Sequence, residues 1–180
     1  MSTEAAPGDL EHVEAFVNTL ELDTGADELA DGDALERWLR ARGLLRSGPV
    51  TNVDAAEARR LREAIRVLLL ENNGVSVRKE AALTLDRAAR RADVELRFDS
   101  SGKARLDPSA GGAAGALGLL LAVIAASMAD GTWVRLKACR ADDCGWAFYD
   151  RARNRSRHWC SMAVCGNRTK ARAFRRRHAA

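Results

Sequence analysis

Cys139, Cys144, Cys160 and Cys165 are the only cysteines in a chain of 180 residues, and all four fall in its last quarter. They form two pairs of x4 spacing, with fifteen residues between the pairs. Two short-spaced pairs separated by a loop of that length can close around one tetrahedral metal ion. Zinc held by four thiolates is the usual occupant. Four protein ligands leave no open coordination position, so the expected Zn2+ is structural and not catalytic. Met1 to Gly8 carries no basic run and no apolar stretch, so nothing there reads as an export signal. A cytoplasmic chain keeps its thiols reduced, which favours metal over cystine.

Charge divides the chain at the same place. From Trp133 onward there are 13 Lys and Arg against 3 Asp and Glu, leaving 16 against 22 before it. Arginine outnumbers lysine 25 to 4 along the whole chain, so its clustering carries the information and its abundance does not. Arg151, Arg153, Arg155 and Arg157 alternate in the loop between the cysteine pairs, and Arg168, Lys170, Arg172, Arg175 and Arg176 follow the last cysteine. If the tail is helical, Arg168, Arg172, Arg175 and Arg176 fall near one face, with Ala171 and Phe174 towards the module. A basic helix behind a zinc knuckle is a common way to hold phosphates, so DNA is the expected partner. The plainer readings are a solvated basic tail, or one that neutralises the acidic N-terminal part in cis. Trp146, Phe148 and Trp159 read as the module's small core before they read as base-stacking platforms. Gly166-Asn167 is placed to turn the chain through left-handed backbone after Cys165.

The elements that must position this module are mostly helical. Leu10, Val13, Phe16, Val17 and Leu20 predict an amphipathic helix over 9–21. Asp33 with Glu36 predicts a capped helix ending at Gly43, and Asp54 with Glu57 another running to about Asn72. That second helix buries Ala58, Leu61, Ile65, Leu68 and Leu69. Ser76 reads as the cap of a helix from Val77 to Arg91. The period then changes: Val94 to Phe98 alternates, 99–102 is a turn, and Ala104 and Leu106 alternate again, which predicts one short β-hairpin. The uncharged run from Pro108 to Ala129 is long enough to raise a membrane span. Only Leu117 to Met128 is strongly apolar, so a buried helix over 114–129 is expected, and no membrane partner. Gly112, Gly115 and Gly118 suit either a tight helix contact or a flexible lead-in. Thr132 to Lys137 leads into the first cysteine.

The motif Cys160-Ser-Met-x-x-Cys165-Gly166-Asn167-Arg168, preceded by Trp159 and by Cys144-Gly-Trp146-x-Phe148-x-Asp150, closely resembles the CGNR zinc finger. The upstream chain resembles the ABATE domain through Phe16-Val17-Asn18-Thr19, through Leu35 to Leu44 with Trp38-Leu39, and through Leu61-Arg62-Glu63. The resemblance covers about 10–177. It departs from the pattern at Ala152, two residues after Asp150, where a small hydroxyl residue is expected. What the resemblance implies is a bacterial DNA-binding transcription regulator whose upstream domain senses a small ligand, with Asn18, Thr19 and Arg62 as candidate pocket residues.

Catalysis has little support. His12, His158 and His178 are the only histidines, and no phosphate-cradling glycine loop, nucleophile elbow or paired-carboxylate pattern stands out. The cluster Asp27, Glu28, Asp31 and Asp33 reads as a solvated loop before it reads as a cation site. The expectation is therefore an α+β chain in two parts. A mostly helical domain with one hairpin covers 1–132, and a treble-clef-like four-cysteine module covers 133–180. It is non-enzymatic and cytoplasmic, and homodimerisation is left open. A zinc-dependent protein-interaction adaptor is the alternative, and a ligand-binding protein or enzyme with an N-terminal site the third.

Overall fold

Helix α3, Asn52–Asn72, is the longest element, and four other helices pack against it. The computed structural model describes residues 4–76 and 79–178. Thr51 caps α3 in a capping box with Asp54: the threonine hydroxyl accepts from Asp54 N, and the Asp54 carboxylate accepts from Thr51 N at 3.0 Å. The expected cap at Asp54 is thus one turn late, because Asp54 occupies the returning position of the box. Ala58, Leu61, Ile65 and Leu69 are buried along one stripe, as their spacing requires.

Two other helix boundaries differ from expectation for local reasons. Asp31, not Asp33, caps α2 (Gly32–Ala41) by accepting from Ala34 N at 2.8 Å. Gly32 then lies against α3's entry, where an added Cβ would sit 2.7 Å from the Thr51 carbonyl carbon. Helix α1 covers only Leu10–Val17, four residues short of Glu21, because Asn18 leaves the helix to bond elsewhere and Leu20 bridges Asp27. Helix α4 is Lys79–Arg91; its expected start at Val77 lies outside the described residues.

The predicted hairpin forms from β1 (Val94–Phe98) and β2 (Ala104–Pro108), with Leu96 opposite Leu106. Helix α5, Gly112–Ala129, is apolar enough to cross a membrane by length and composition. It instead buries Leu117, Leu120, Leu121 and Ile124 in the core that α1, α2 and α3 share. Of the two readings of its glycines, the tight contact is the one found. An added Cβ at Gly118 would meet Ala92 Cβ at 2.6 Å and Pro108 Cβ at 2.7 Å.

A second hairpin was not expected. A single turn of 3-10 helix, Trp133–Arg135, leads into β3 (Leu136–Ala138), which pairs with β4 (Ala147–Tyr149). Strand alternation gives this hairpin two faces. Leu136, Ala138, Ala147 and Tyr149 join the main helical core, while Phe148 joins a second cluster with Cys139, Ala141 and Cys165. The main core therefore runs across residue 132, and β3–β4 is the wall between it and the cysteine module. A π-helical turn, Met162–Gly166, and helix α6, Asn167–His178, complete the chain.

Candidate metal centre and basic surface

Each cysteine pair sits at the edge of an ordered element. Cys139 directly follows β3 and donates its N–H to Trp146 O at 2.9 Å, closing the first loop, and Cys144 N bonds Ala141 O at 3.0 Å within it. Cys160 precedes the π-helical turn and Cys165 lies inside it. The four Sγ atoms lie within 4.8 Å of one another. Cys160 Sγ is 3.6 Å from Cys144 Sγ and 3.7 Å from Cys165 Sγ. A tetrahedron with zinc–sulfur bonds of about 2.3 Å has edges of about 3.8 Å, so this spacing fits four thiolates around one zinc ion. It is far longer than a disulfide bond of about 2.05 Å, and all four cysteines are free.

The surroundings favour one negative sulfur, that of Cys139. Backbone N–H groups of Ala141 and Cys160 face the Cys139 sulfur, and that of Trp146 faces the Cys144 sulfur. Accepting from the Cys144 and Cys160 thiols holds Cys139 down to about 2. The same contact, as donor to Cys139, pushes Cys144 up to about 12, and Cys160 is pushed up as well. A cluster this tight keeps one thiolate by itself; ionising all four requires a cation among them. Arg168 adds a positive group, with Nη2 donating to Cys165 Sγ at 3.7 Å. Gly166 does not turn the chain, and the atom closest to it is the end of the flexible, half-exposed Met162 side chain. Gly166 lies within the π-helical turn and Asn167 has φ −66° in right-handed helix, so the expected left-handed turn does not form. An added Cβ at Gly166 would lie 2.5 Å from Met162 Sδ.

The expected basic residues divide into two groups. Arg168 and Arg172 share Asp143, at 3.0 and 2.7 Å. Arg157 donates to Cys160 O at 2.7 Å and lies over the Phe148 ring. Arg151 pairs with Glu4 at 3.2 Å and donates to Ala5 O. These four brace the module or tie it to the N-terminus. Arg153, Arg155, Lys170, Arg175 and Arg176 are exposed and make no ion pair among the described residues. Helix α6 faces the module through Arg168 and Arg172, one turn apart, and Thr169 beside them, because Cys165 and Asp143 accept from that side. Phe174 is therefore turned out, 56% exposed, and Ala171 with it, contrary to expectation.

The loop that carries Arg153 and Arg155 is fixed from beneath. Lys137 and Asp150 form an ion pair at 2.8 Å, both almost fully buried. Lys137 Nζ also donates to the carbonyls of Arg155 and Arg157, while Asp150 accepts from Ala152 N and Arg157 N. Burial opposes the Asp150 carboxylate, but these donors outweigh it and hold its pKa below the ordinary value. The backbone N–H of Ala152 supplies the bond to Asp150, so the missing hydroxyl side chain at that position leaves the loop anchored.

Asn18, Thr19 and Arg62 are committed to the interior. Asn18 pairs with β4 as a strand residue would, donating to Ala147 O at 3.0 Å and accepting from Ala147 N at 2.7 Å. Arg62 is 2% exposed, bonds Asp27 through both terminal nitrogens at 2.7 and 2.9 Å, and donates to Thr19 Oγ1. Asp27, from the acidic cluster, is thus the partner of an arginine, and Asp31 is a helix cap. Burial works against the Asp27 carboxylate, but Arg62 and Leu29 N hold its pKa below the ordinary range. Stability from this pair is fully present above about pH 4 and is lost as pH falls through the lowered pKa. Arg62→Ala leaves Asp27 without its partner and is expected to cost about 3–5 kcal/mol, the range for breaking a buried pair. Its chemical denaturation midpoint should lose the part of the acid-side dependence that Asp27 contributes in wild type; an unchanged midpoint would overturn this role.

Sequence reasoning missed the donors at the far end of α3. Arg66, one turn after Arg62, donates to Gly145 O at 2.5 Å and Val17 O at 2.9 Å. Asn73 Nδ2 donates to Ala138 O at 2.8 Å and His158 O at 2.9 Å, while His158 Nδ1 lies 2.8 Å from Asn73 Oδ1. The end of one helix therefore grips the residue after Cys144, the residue before Cys139, and the segment leading to Cys160. Two arginines on the apolar face of α3 were the visible signal. Asn73→Ala should expose this: each buried carbonyl left without a donor costs about 1–3 kcal/mol. Hydrogen exchange at 138–160 is the measurement, and unchanged protection there would rule the grip out.

Residues 135–178 match the family described as CGNR zinc finger, which sets the class of the C-terminal part. Residues 12–131 match the ABATE family, described as "putative stress-induced transcription regulator". That match takes in 120 of the 180 residues, and the chain belongs to this family. No match was found among curated proteins.

Proposed function

We propose that this chain is a DNA-binding transcription regulator in two parts, 1–132 and 133–180, with a structural Zn2+ held by Cys139, Cys144, Cys160 and Cys165. The ion, when bound, neutralises the thiolates and supplies folding energy; it does no chemistry on a substrate. The observation that carries DNA binding is the division among the basic residues. Arg153 and Arg155, in a loop braced by Lys137 and Asp150, and Lys170, Arg175 and Arg176 on α6 remain free to meet phosphates. The helical part is proposed to receive a small ligand, and the protein to act in the cytoplasm as a non-enzyme. Electrophoretic shift with random duplex DNA at two salt concentrations tests the DNA reading: binding that weakens sharply with salt is expected, and none at low salt rejects it.

A second reading has one observation in its favour. Met162, Val164 and Phe174 are exposed on the finger at 48%, 55% and 56%. Large apolar groups in that position suit a protein partner, which would make the module a zinc-dependent adaptor.

A further inference from the structure

The geometry points to a binding site between α3, α4 and α5 for a small organic anion, a monocarboxylate whose body is a single ring or short alkyl chain. A cavity of about 100 Å³ lies there, lined by residues of all three helices. Its floor is apolar: Leu61 is 1% exposed and Leu117 6%. Two alanines, Ala88 and Ala114, line it where larger side chains would close it. An apolar cavity of about 150 Å³ takes benzene whole, so this smaller one takes part of a ring or a short alkyl chain, with the polar end at the mouth.

The charged groups at the cavity decide the sign of that polar end. Arg60, Arg87 and Arg91 line it together with Asp54 and Glu57. Both carboxylates are already paired, Glu57 with Arg60 at 2.5 Å and Asp54 with Arg91 at 2.8 Å. Arg87 is exposed and makes no ion pair among the described residues. The surplus charge is thus one guanidinium, whose planar fork matches a carboxylate. A cation would meet that surplus without a free acidic partner. Arg60 and Thr84 also line an open groove along α3 and α4, so a longer ligand has a path out of the mouth.

This names the site and ligand class for the ligand-sensing part of the proposed function, and it rests on that part and not on DNA binding. The test uses the full zinc-loaded chain and benzoate, with benzylamine as the cationic counterpart, followed by backbone amide shifts in NMR. A fragment of this size binds at about millimolar strength. Saturable shifts are expected at 57–61, 84–91 and 114–117, with benzylamine at least about tenfold weaker. Ala114→Leu, which fills the floor, should abolish them. Arg87→Gln, at an exposed position that leaves the fold intact, should weaken benzoate about tenfold and leave benzyl alcohol unchanged. Saturable benzoate shifts elsewhere, unaffected by both variants, would overturn the site while leaving ligand sensing standing. Equal binding of benzylamine would overturn the ligand class, and no saturation by any of the three would overturn the site.

Discussion

Cys160→Ser is expected to lower bound zinc from one per chain to near none and to unfold residues 150–178 while α1–α5 keep their helicity. The module's own core is Phe148, Ala141 and the cysteines, with Trp146 and Trp159 half-buried at its edge. Apolar burial on that scale does not hold a fold of about 45 residues, whereas four-ligand zinc binding contributes on the order of 10–16 kcal/mol. The hairpin β3–β4 should behave differently from the rest of the module. Leu136, Ala138, Ala147 and Tyr149 are held by the helical core on its other face, and Asn18 and Asn73 bond its backbone. Metal analysis, circular dichroism and limited proteolysis read the three parts separately. Zinc retained near one per chain would remove Cys160 from the ligand set. A global loss of helix would show that α1–α5 depend on the metal through the Arg66 and Asn73 bonds.

Duplex DNA binding by the wild-type chain is expected to fall about 500-fold between 50 and 200 mM salt, if Arg153, Arg155, Lys170, Arg175 and Arg176 each meet a phosphate at a slope of about −0.9. Arg175→Ala with Arg176→Ala should make the slope shallower by up to about two and weaken every sequence alike. Arg153→Ala with Arg155→Ala should in addition relax specificity, since their loop is held rigid by the Lys137–Asp150 pair and can present a fixed shape to base edges. Arg172→Ala is the informative contrast. Its guanidinium is spent on Asp143, so its removal should loosen α6 against the module more than it changes the salt slope. Titrations on one preferred site and one scrambled duplex give all of these values. Absence of binding at low salt would reject the DNA reading and leave the exposed Met162, Val164 and Phe174 as the functional surface.

Much of this arrangement could be read along the chain. Cysteine spacing alone picks out a four-sulfur cluster, because a tetrahedral ion constrains neighbours within each short loop. Apolar residues at helical period mark the buried stripe of α3, and alternation around 99–102 marks the first hairpin; both depend on residues a few positions apart. The glycines after β2 left a tight contact and a flexible lead-in both open, and Ala92 and Pro108 beside Gly118 decided between them. The second hairpin was hidden because its strands are three residues each, too short for a period to show.

What the tertiary structure alone decided is the fate of the long polar side chains. A guanidinium reaches whatever acceptor the fold brings near, and those acceptors come from far along the chain. Asp27 lies 35 residues from Arg62, Gly145 lies 79 from Arg66, and Asp143 lies 29 from Arg172. No local spacing encodes such pairs. In sequence, Arg168 and Arg172 look the same as Arg175 and Arg176. Only the folded chain, by placing Asp143 and the Cys165 sulfur against one side of α6, separates the arginines that build the finger from those left to bind something else.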